Sequence, residues 1–286
     1  MCQVRVVVIG AIVVGMAGPL DGEVLAGQGD TEVTQQTSSA DEKPALEALT
    51  IRIVQDNHSC SDRLEAAWGF AAHLTGPQEN ILFDTGSDGA LLLGNMAKMG
   101  LDPNRVETVI LSHNHADHTG GLIGLLQQNA DITLYGLKSF PAQFQQTVRG
   151  YGARFVGVSR PQPICENVTS TGQVGTRIRE QALIVRTKRG LVVLTGCAHP
   201  GVVRMVEKVK AQHKEEILLV MGGFHLGWAQ AGEIEQIIGA LKDLGVRYAA
   251  PTHCSGDKAR ALFKQHFGAQ YLEVGVGKTI DLTELK

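Results

Sequence analysis

Leu111-Ser-His-Asn-His-Ala-Asp-His-Thr-Gly-Gly121 is the stretch that fixes the architecture of this chain. It sets His113, His115, Asp117 and His118 within six residues, directly after Val106 to Leu111, a run that reads as a buried strand. In an extended segment, side chains two apart project to the same side, so His113 and His115 can converge on one ion. Once the chain turns after Ala116, Asp117 and His118 point elsewhere and can serve a second ion. Thr119, Gly120 and Gly121 supply a backbone that bends sharply before the apolar run Leu122 to Leu126 starts a helix. Imidazole nitrogens with one carboxylate suit zinc, and iron or manganese also fit, so one or two divalent ions are expected.

Outward from that loop, Thr50 to Val54 alternates as a strand and leads into the polar loop Gln55-Asp-Asn-His58. Trp68 to Leu74 and Ile81 to Phe83 read as two strands joined through Thr75-Gly-Pro77, the second ending at Asp84-Thr-Gly86. Leu92, Met96 and Met99 recur at helical spacing, and Gly100 with Pro103 ends that helix. After the motif come a helix near Leu122 to Gln128, a strand Ile132 to Tyr135, and a stretch to about Gly175 that reads as irregular. Strands Ala182 to Thr187 and Leu191 to Thr195 follow. A helix carrying Val202, Val206 and Val209, a strand Ile217 to Met221, and a helix carrying Ile234, Ile237, Ile238 and Leu241 come next. A strand through Ala249 and Ala250 and a helix Asp257 to Phe267 complete the pattern, which predicts an α/β chain with sheets covered by helices on their outer faces.

Ligands that close a metal site from a distance belong at strand ends, and three histidines meet that condition. His199 lies in Thr195-Gly-Cys-Ala-His-Pro-Gly201, His225 in Gly222-Gly-Phe-His-Leu226 and His253 in Pro251-Thr-His-Cys-Ser-Gly256. His213 and His266 fall in helical contexts and read as solvated, His73 as a strand residue, and His58 as a residue able to reach the site.

The histidine motif resembles the H-x-H-x-D-H signature of the metallo-β-lactamase superfamily, from roughly Leu49 to the C-terminus. That resemblance implies a four-layer αβ/βα sandwich, and it implies that Asp84 supports the metal loop by accepting hydrogen bonds from ligand imidazoles or loop amides. An Asx turn opening the next helix is the alternative for Asp84. Most superfamily members carry a further ligand histidine in a Pro-Gly-His-type loop and a bridging aspartate after a Gly. This chain has no histidine between Ile164 and Leu183, and Cys197 stands where the aspartate would be. His199 is then the replacement ligand, and Cys197 either ligates or packs beside the site. The three motifs around His199, His225 and His253 together resemble the dihydropterin-ribofuranosylaminobenzene-phosphate synthase-like subgroup of metal-dependent hydrolases.

The expected activity is metal-dependent hydrolysis of a small, anionic substrate, with Asp117 positioning water or moving its proton and His225 donating a hydrogen bond to developing charge. Transferase chemistry on a pterin-related aminobenzene phosphate, thiolester or lactam hydrolysis, and a metal-binding module without catalysis are the alternatives. Ser255 and Gly256 precede the helix that begins near Asp257, so Ser255 is expected either to cap that helix or to hold a substrate anion there.

Composition excludes other classes. With 286 residues, 43% apolar and 19% charged, the chain has ample material for one large core. A net charge of −3 without long basic runs argues against a nucleic-acid groove. Five cysteines at irregular spacing do not read as a disulfide framework. Residues 1–26 hold one arginine, Arg5, before an apolar run that is short for a membrane span and reads as a secretory leader, which implies an exported protein without lasting membrane insertion. Residues 27–48 are polar and read as a disordered linker, leaving 49–286 as the catalytic domain. Oligomeric state is not readable from the residues.

Overall fold

The computed structural model describes residues 45–285, so the expected leader, and the expected linker up to residue 44, lie outside the described residues. Leu46, in the last residues assigned to that linker, bridges Thr187 and gives its amide to Arg186 O at 3.2 Å.

The first half of the chain supplies β1 (Thr50–Gln55), β2 (Ala71–Thr75), β3 (Ile81–Phe83), α1 (Gly89–Lys98), β4 (Thr108–Ile110) and the short turn of helix α2 (Ala116–Thr119). It continues through α3 (Leu122–Gln128), β5 (Thr133–Leu137), α4 (Ala142–Gly150) and β6 (Arg154–Val158). The second half supplies β7 (Gln162–Cys165), β8 (Val168–Ser170), β9 (Leu183–Thr187), β10 (Gly190–Thr195), α5 (Val202–Lys210) and β11 (Ile217–Gly223). After these come α6 (Ala231–Asp243), β12 (Tyr248–Thr252), α7 (Asp257–Phe267) and β13 (Thr279–Asp281).

Among the described residues these strands make two sheets, ordered β13-β1-β2-β3-β4-β5-β6 and β12-β11-β10-β9-β8-β7. In both, antiparallel hairpin strands give way to parallel ones, β3 to β6 in the first and β10 to β12 in the second, because helices cross over between them. Ile51, Ile53, Leu74 and Phe83 of the first sheet pack against Val185, Val192, Leu194 and Met221 of the second. The intervening residues of β10, Leu191 and Val193, face outward onto Val202, Val206, Ile234 and Phe263 of the helices. The outer face of the first sheet is covered by Leu92, Met96, Leu122, Leu125 and Val148. This is the four-layer αβ/βα sandwich, and each strand buried on both faces is apolar on both.

Two expectations are corrected. The stretch to Gly175 contains α4 and the strands β6, β7 and β8. Helix α4 buries only Val148 fully, so its nine mostly polar residues carry few apolar marks; β6 and β7 are short strands at the sheet edges, and β8 is a three-residue strand between β7 and β9. Trp68 to Phe70, read as the start of a strand, is a loop leading into β2.

Candidate metal centre

The parallel strands β3, β4, β10, β11 and β12 all end on one rim of the sandwich, and their following loops hold the polar cluster. Asp84 follows β3, the histidine motif follows β4, and Cys197 with His199, His225 and His253 follow β10, β11 and β12. His113 and His115 precede the turn of α2, while Asp117 and His118 lie within it, so the motif splits into two directions. Among the described residues, five non-glycine residues have positive φ, and four of them lie in these loops: Asp84 (56°), Ala198 (55°), His225 (53°) and His253 (51°). Backbone in this region costs of order 1–3 kcal/mol per residue and persists only where surrounding structure imposes it.

Two groups of donor atoms converge. His113, His115 and His199 form one, and Asp117, His118, Cys197 and His253 the other; within each group the donor atoms lie within 4.8 Å of one another. His113 Nε2 is 3.1 Å from His115 Nδ1, which is 3.3 Å from His199 Nε2. Nitrogens sharing one tetrahedral zinc at about 2.0–2.1 Å would stand about 3.3 Å apart.

The hydrogen-bond network assigns the ring protons. Ser112 Oγ donates to Asp84 Oδ2 at 2.7 Å, so it must accept from His113 Nδ1 at 2.9 Å, which leaves His113 Nε2 a bare lone pair. His118 Nδ1 donates to Asp84 Oδ2 at 2.7 Å, leaving its Nε2 to face Cys197 Sγ at 3.1 Å and Asp117 Oδ2 at 3.6 Å. His253 Nδ1 donates to Asn57 Oδ1 at 3.0 Å, an oxygen that also accepts from Gly69 N. His253 Nε2 is then buried with no hydrogen-bond partner, although Asp117 Oδ2 stands 3.3 Å away. A buried ring nitrogen and a carboxylate oxygen that face each other at 3.3 Å without a well-formed hydrogen bond fit a shared cation, and the donor set therefore fits divalent metal.

Electrostatics agree. Burial, then the neighbouring imidazoles, hold His113 well below the ordinary histidine value, and burial with His225 and His115 brings His199 to about 4, so both stay neutral and able to ligate. Burial also opposes charge on His118, but Asp84 and Asp117 outweigh it and raise that ring: the pocket is anionic enough to hold a cation. Burial pushes Asp117 up, yet contact with His253 and the charge of His118 keep its carboxyl well below the usual range.

Several residues at the site were not singled out from the sequence. The Trp68 indole N–H donates to Asp117 Oδ2 at 2.8 Å. Glu180, fully buried, accepts the amides of Gly196 (3.1 Å), Cys197 (2.8 Å), Ala198 (2.8 Å) and His199 (3.0 Å), and so shapes the whole loop that carries His199. Asp56 accepts from Thr252 Oγ1 at 2.5 Å and ties β1 to β12 beneath His253. Arg177 and Arg179 line a hollow of about 380 Å3 together with Asn114 and His115. On the other side, a cavity of about 370 Å3 is walled by His58, Trp68, His225, Trp228, His253 and Asp257. Glu180, Arg177 and Arg179 lie just ahead of β9, past the stretch read as irregular, and no local pattern marks them.

The remaining expected residues divide. Asp84 has positive φ and accepts from Ser112 N (2.7 Å), Ser112 Oγ and His118 Nδ1. The cap of α1 is Asp88 instead, so the Asx-turn alternative for Asp84 falls. His58 lines the second cavity, 3.9 Å from the Asp257 carboxylate. Gly256, with φ 77°, is the N-cap of α7 and lines the same cavity. Ser255 is corrected: it is buried, its hydroxyl donates to Thr252 O at 2.7 Å and accepts from Phe224 N at 3.0 Å, and it neither caps α7 nor faces the cavity. His73 lies on β2, buried, and His266 is exposed on α7.

Residues 70–210 match the model of the metallo-beta-lactamase superfamily. A curated relative from Methanocaldococcus jannaschii, named 7,8-dihydropterin-6-methyl-4-(beta-D-ribofuranosyl)-aminobenzene-5'-phosphate synthase, is 29% identical over 250 residues, covering 72% of this chain and 85% of that one. A solved structure described as a metal-dependent hydrolase of the beta-lactamase superfamily superposes with TM-score 0.67 at 28% identity, covering 81% of this chain and 98% of the other. A diphosphatase of the PhnP family shares the fold at TM-score 0.56 and 13% identity, over 83% and 98% of the two chains. Among the described residues no helix is long and apolar enough to cross a membrane.

Proposed function

We infer that this chain, which carries a metallo-β-lactamase domain with that superfamily's fold, is a zinc-dependent hydrolase of a small anionic substrate. The observation that carries the reading is the convergence of histidine ring nitrogens on two adjacent points, with His253 Nε2 buried and unpartnered opposite Asp117. Ions held by His113, His115 and His199, and by Asp117, His118 and His253 with Cys197, would polarise a substrate oxygen and bring the pKa of water near 7.

The chain's own residues supply the rest. Asp117 stays ionised and is fixed by the Trp68 indole, so it orients a nucleophilic water by accepting a hydrogen bond from it. His225 faces the cavity, where one ring N–H can donate to charge developing on the substrate oxygen. Arg177 and Arg179, beside His115, attract and seat a phosphate or carboxylate. Asp84 and Glu180 hold the ligand loops in place by the hydrogen bonds already described.

A second reading, synthase chemistry on a pterin-related aminobenzene phosphate, is favoured by the likeness to the Methanocaldococcus jannaschii protein. One experiment addresses both. A panel of phosphodiesters, phosphomonoesters and lactones is turned over in 18O-labelled water, with and without chelator, alongside a dihydropterin and aminobenzene-phosphate pair. Hydrolysis predicts label in the product, loss with chelator and recovery with zinc; transfer without label supports the synthase. Turnover that survives complete metal removal sinks both. In the hydrolase reading, Arg177→Ala with Arg179→Ala raises KM for anionic substrates about tenfold or more and leaves neutral analogues unaffected.

A further inference from the structure

We propose that Cys197, His225 and Cys254 form a third, sulfur-rich metal site beside the two histidine-based ones, suited to a thiophilic ion such as zinc or cadmium. Their two Sγ atoms and one ring nitrogen lie within 4.8 Å of one another. Two thiolates on one zinc, at about 2.3 Å each in tetrahedral geometry, stand about 3.8 Å apart, which is within that spread.

The placement follows from the sheet. Strands β10, β11 and β12 are parallel neighbours, with Thr195 opposite Gly222 and Gly223 opposite Thr252. Cys197, His225 and Cys254 each sit two residues beyond the last residue of their strand, so one rim presents all three. Each loop also carries a non-glycine residue held at positive φ: Ala198, His225 and His253. Three adjacent loops strained in the same manner hold three donors together, and strain of this kind gathers where a site imposes it.

A second observation is independent of that strain. Gly223 has no left-handed backbone that would require glycine, yet a Cβ there would lie 2.3 Å from Gly196 O, 2.7 Å from Cys254 Sγ and 3.1 Å from Cys197 Cα. Glycine stands at the end of β11 because the Gly196 carbonyl, which also accepts the Gly223 amide at 3.0 Å, and the Cys254 sulfur together fill the space. Both cysteines are buried, and Cys254 Sγ reaches Cys197 O at 3.7 Å. The soft donor pair distinguishes this group from the nitrogen and oxygen ligands next to it. Cys197 Sγ also lies 3.1 Å from His118 Nε2, so one thiolate is shared between the second group and this one. His225 and Cys254 line the 370 Å3 cavity, and the open side of the site faces whatever that cavity holds.

The full chain, stripped of metal and kept reduced, is titrated with Co2+ alone while thiolate-to-cobalt charge-transfer absorption is followed. Bound metal is counted separately by equilibrium dialysis with Cd2+. The proposal expects charge-transfer intensity from two thiolates, falling by about half in Cys254→Ser and vanishing in the Cys197→Ser, Cys254→Ser pair. His225→Ala removes an exposed side chain that the fold does not need, and it should weaken the sulfur-bound ion about tenfold or more with the histidine-bound ions retained. An unchanged band in both Cys254→Ser and His225→Ala would overturn it, because sulfur would then come from Cys197 on the second group alone. Absence of any charge-transfer band, or a Cys197–Cys254 disulfide that reforms in place of metal binding, also overturns it. The ligand-field absorption of cobalt on the histidines reports separately whether the two-site reading stands.

Discussion

Glu180→Gln tests how the His199 loop is held. The Glu180 carboxylate takes the amides of Gly196, Cys197 and Ala198 on Oε1 and of His199 on Oε2. Glutamine offers only one oxygen, so if that oxygen replaces Oε1, an NH2 group faces the His199 N–H and one buried donor goes unpaired, at about 1–3 kcal/mol. The bonds that remain lose their charge, from about 1.5–3 to about 0.5–1.5 kcal/mol each, and three donors on one oxygen share that loss rather than adding it. Against this, burial pushes the Glu180 carboxyl up, so a neutral amide avoids part of a desolvation cost. The net expected loss is about 2–4 kcal/mol, with metal affinity at the His113, His115 and His199 group falling about 10–100-fold as the loop relaxes. Urea unfolding of metal-free protein gives the first number, and competitive zinc titration against a chelating dye gives the second. Glu180→Asp, which keeps the charge but is one methylene short, should fall between. If Glu180→Gln changes stability by less than about 0.5 kcal/mol and leaves zinc affinity intact, the carboxylate is not the organiser of that loop.

Other expectations are equally direct. His115→Ala with His253→Ala removes one donor from each histidine group and should strip most bound metal; full occupancy in that variant refutes the ligand groups. Ser255→Ala leaves Phe224 N without its acceptor and should cost about 1–3 kcal/mol in urea unfolding with KM unchanged for anionic and neutral substrates alike; a selective rise for the anion would return Ser255 to substrate binding. His73 is buried opposite Arg52, and burial, with that cation, lowers its pKa from 6.5 to about 4. A histidine depressed in the folded state contributes stability that is present above the unfolded value and lost as pH falls through 6.5 toward 4. The loss approaches about 3 kcal/mol. His73→Leu should flatten that limb of the stability–pH curve, measured as the difference from the parent between pH 7.5 and pH 4.5; parallel curves refute it.

The boundary between what the residues told and what folding decided is physical. The motif from His113 to His118 was legible because its ligands are neighbours in the chain, and local geometry alone, extended and then turned, sends them two ways. The continuous apolar run of β10 and the periodicity of α5 were legible because one meets core on both faces and the other on one. His199, His225 and His253 stood out because each follows an apolar run with a strand's pattern. The edge strands β6 and β7, the three-residue strand β8 and the polar helix α4 were not legible, since short or mostly polar elements offer few apolar residues from which to read a pattern. Ser255 deceived for a related reason: a serine before a helix is a cap in most sequences, and only the approach of Phe224 shows where its hydroxyl goes. Glu180 carries no local mark at all. Its function depends on four amides that lie 16 to 19 residues away in sequence and meet it only when β9 and β10 pair. The cluster of Cys197, His225 and Cys254 arises in the same way, from three strand ends that parallel pairing brings level. Sequence determines the donors and the elements that carry them; the lateral order of strands, set by long-range pairing and burial, decides which donors share a site.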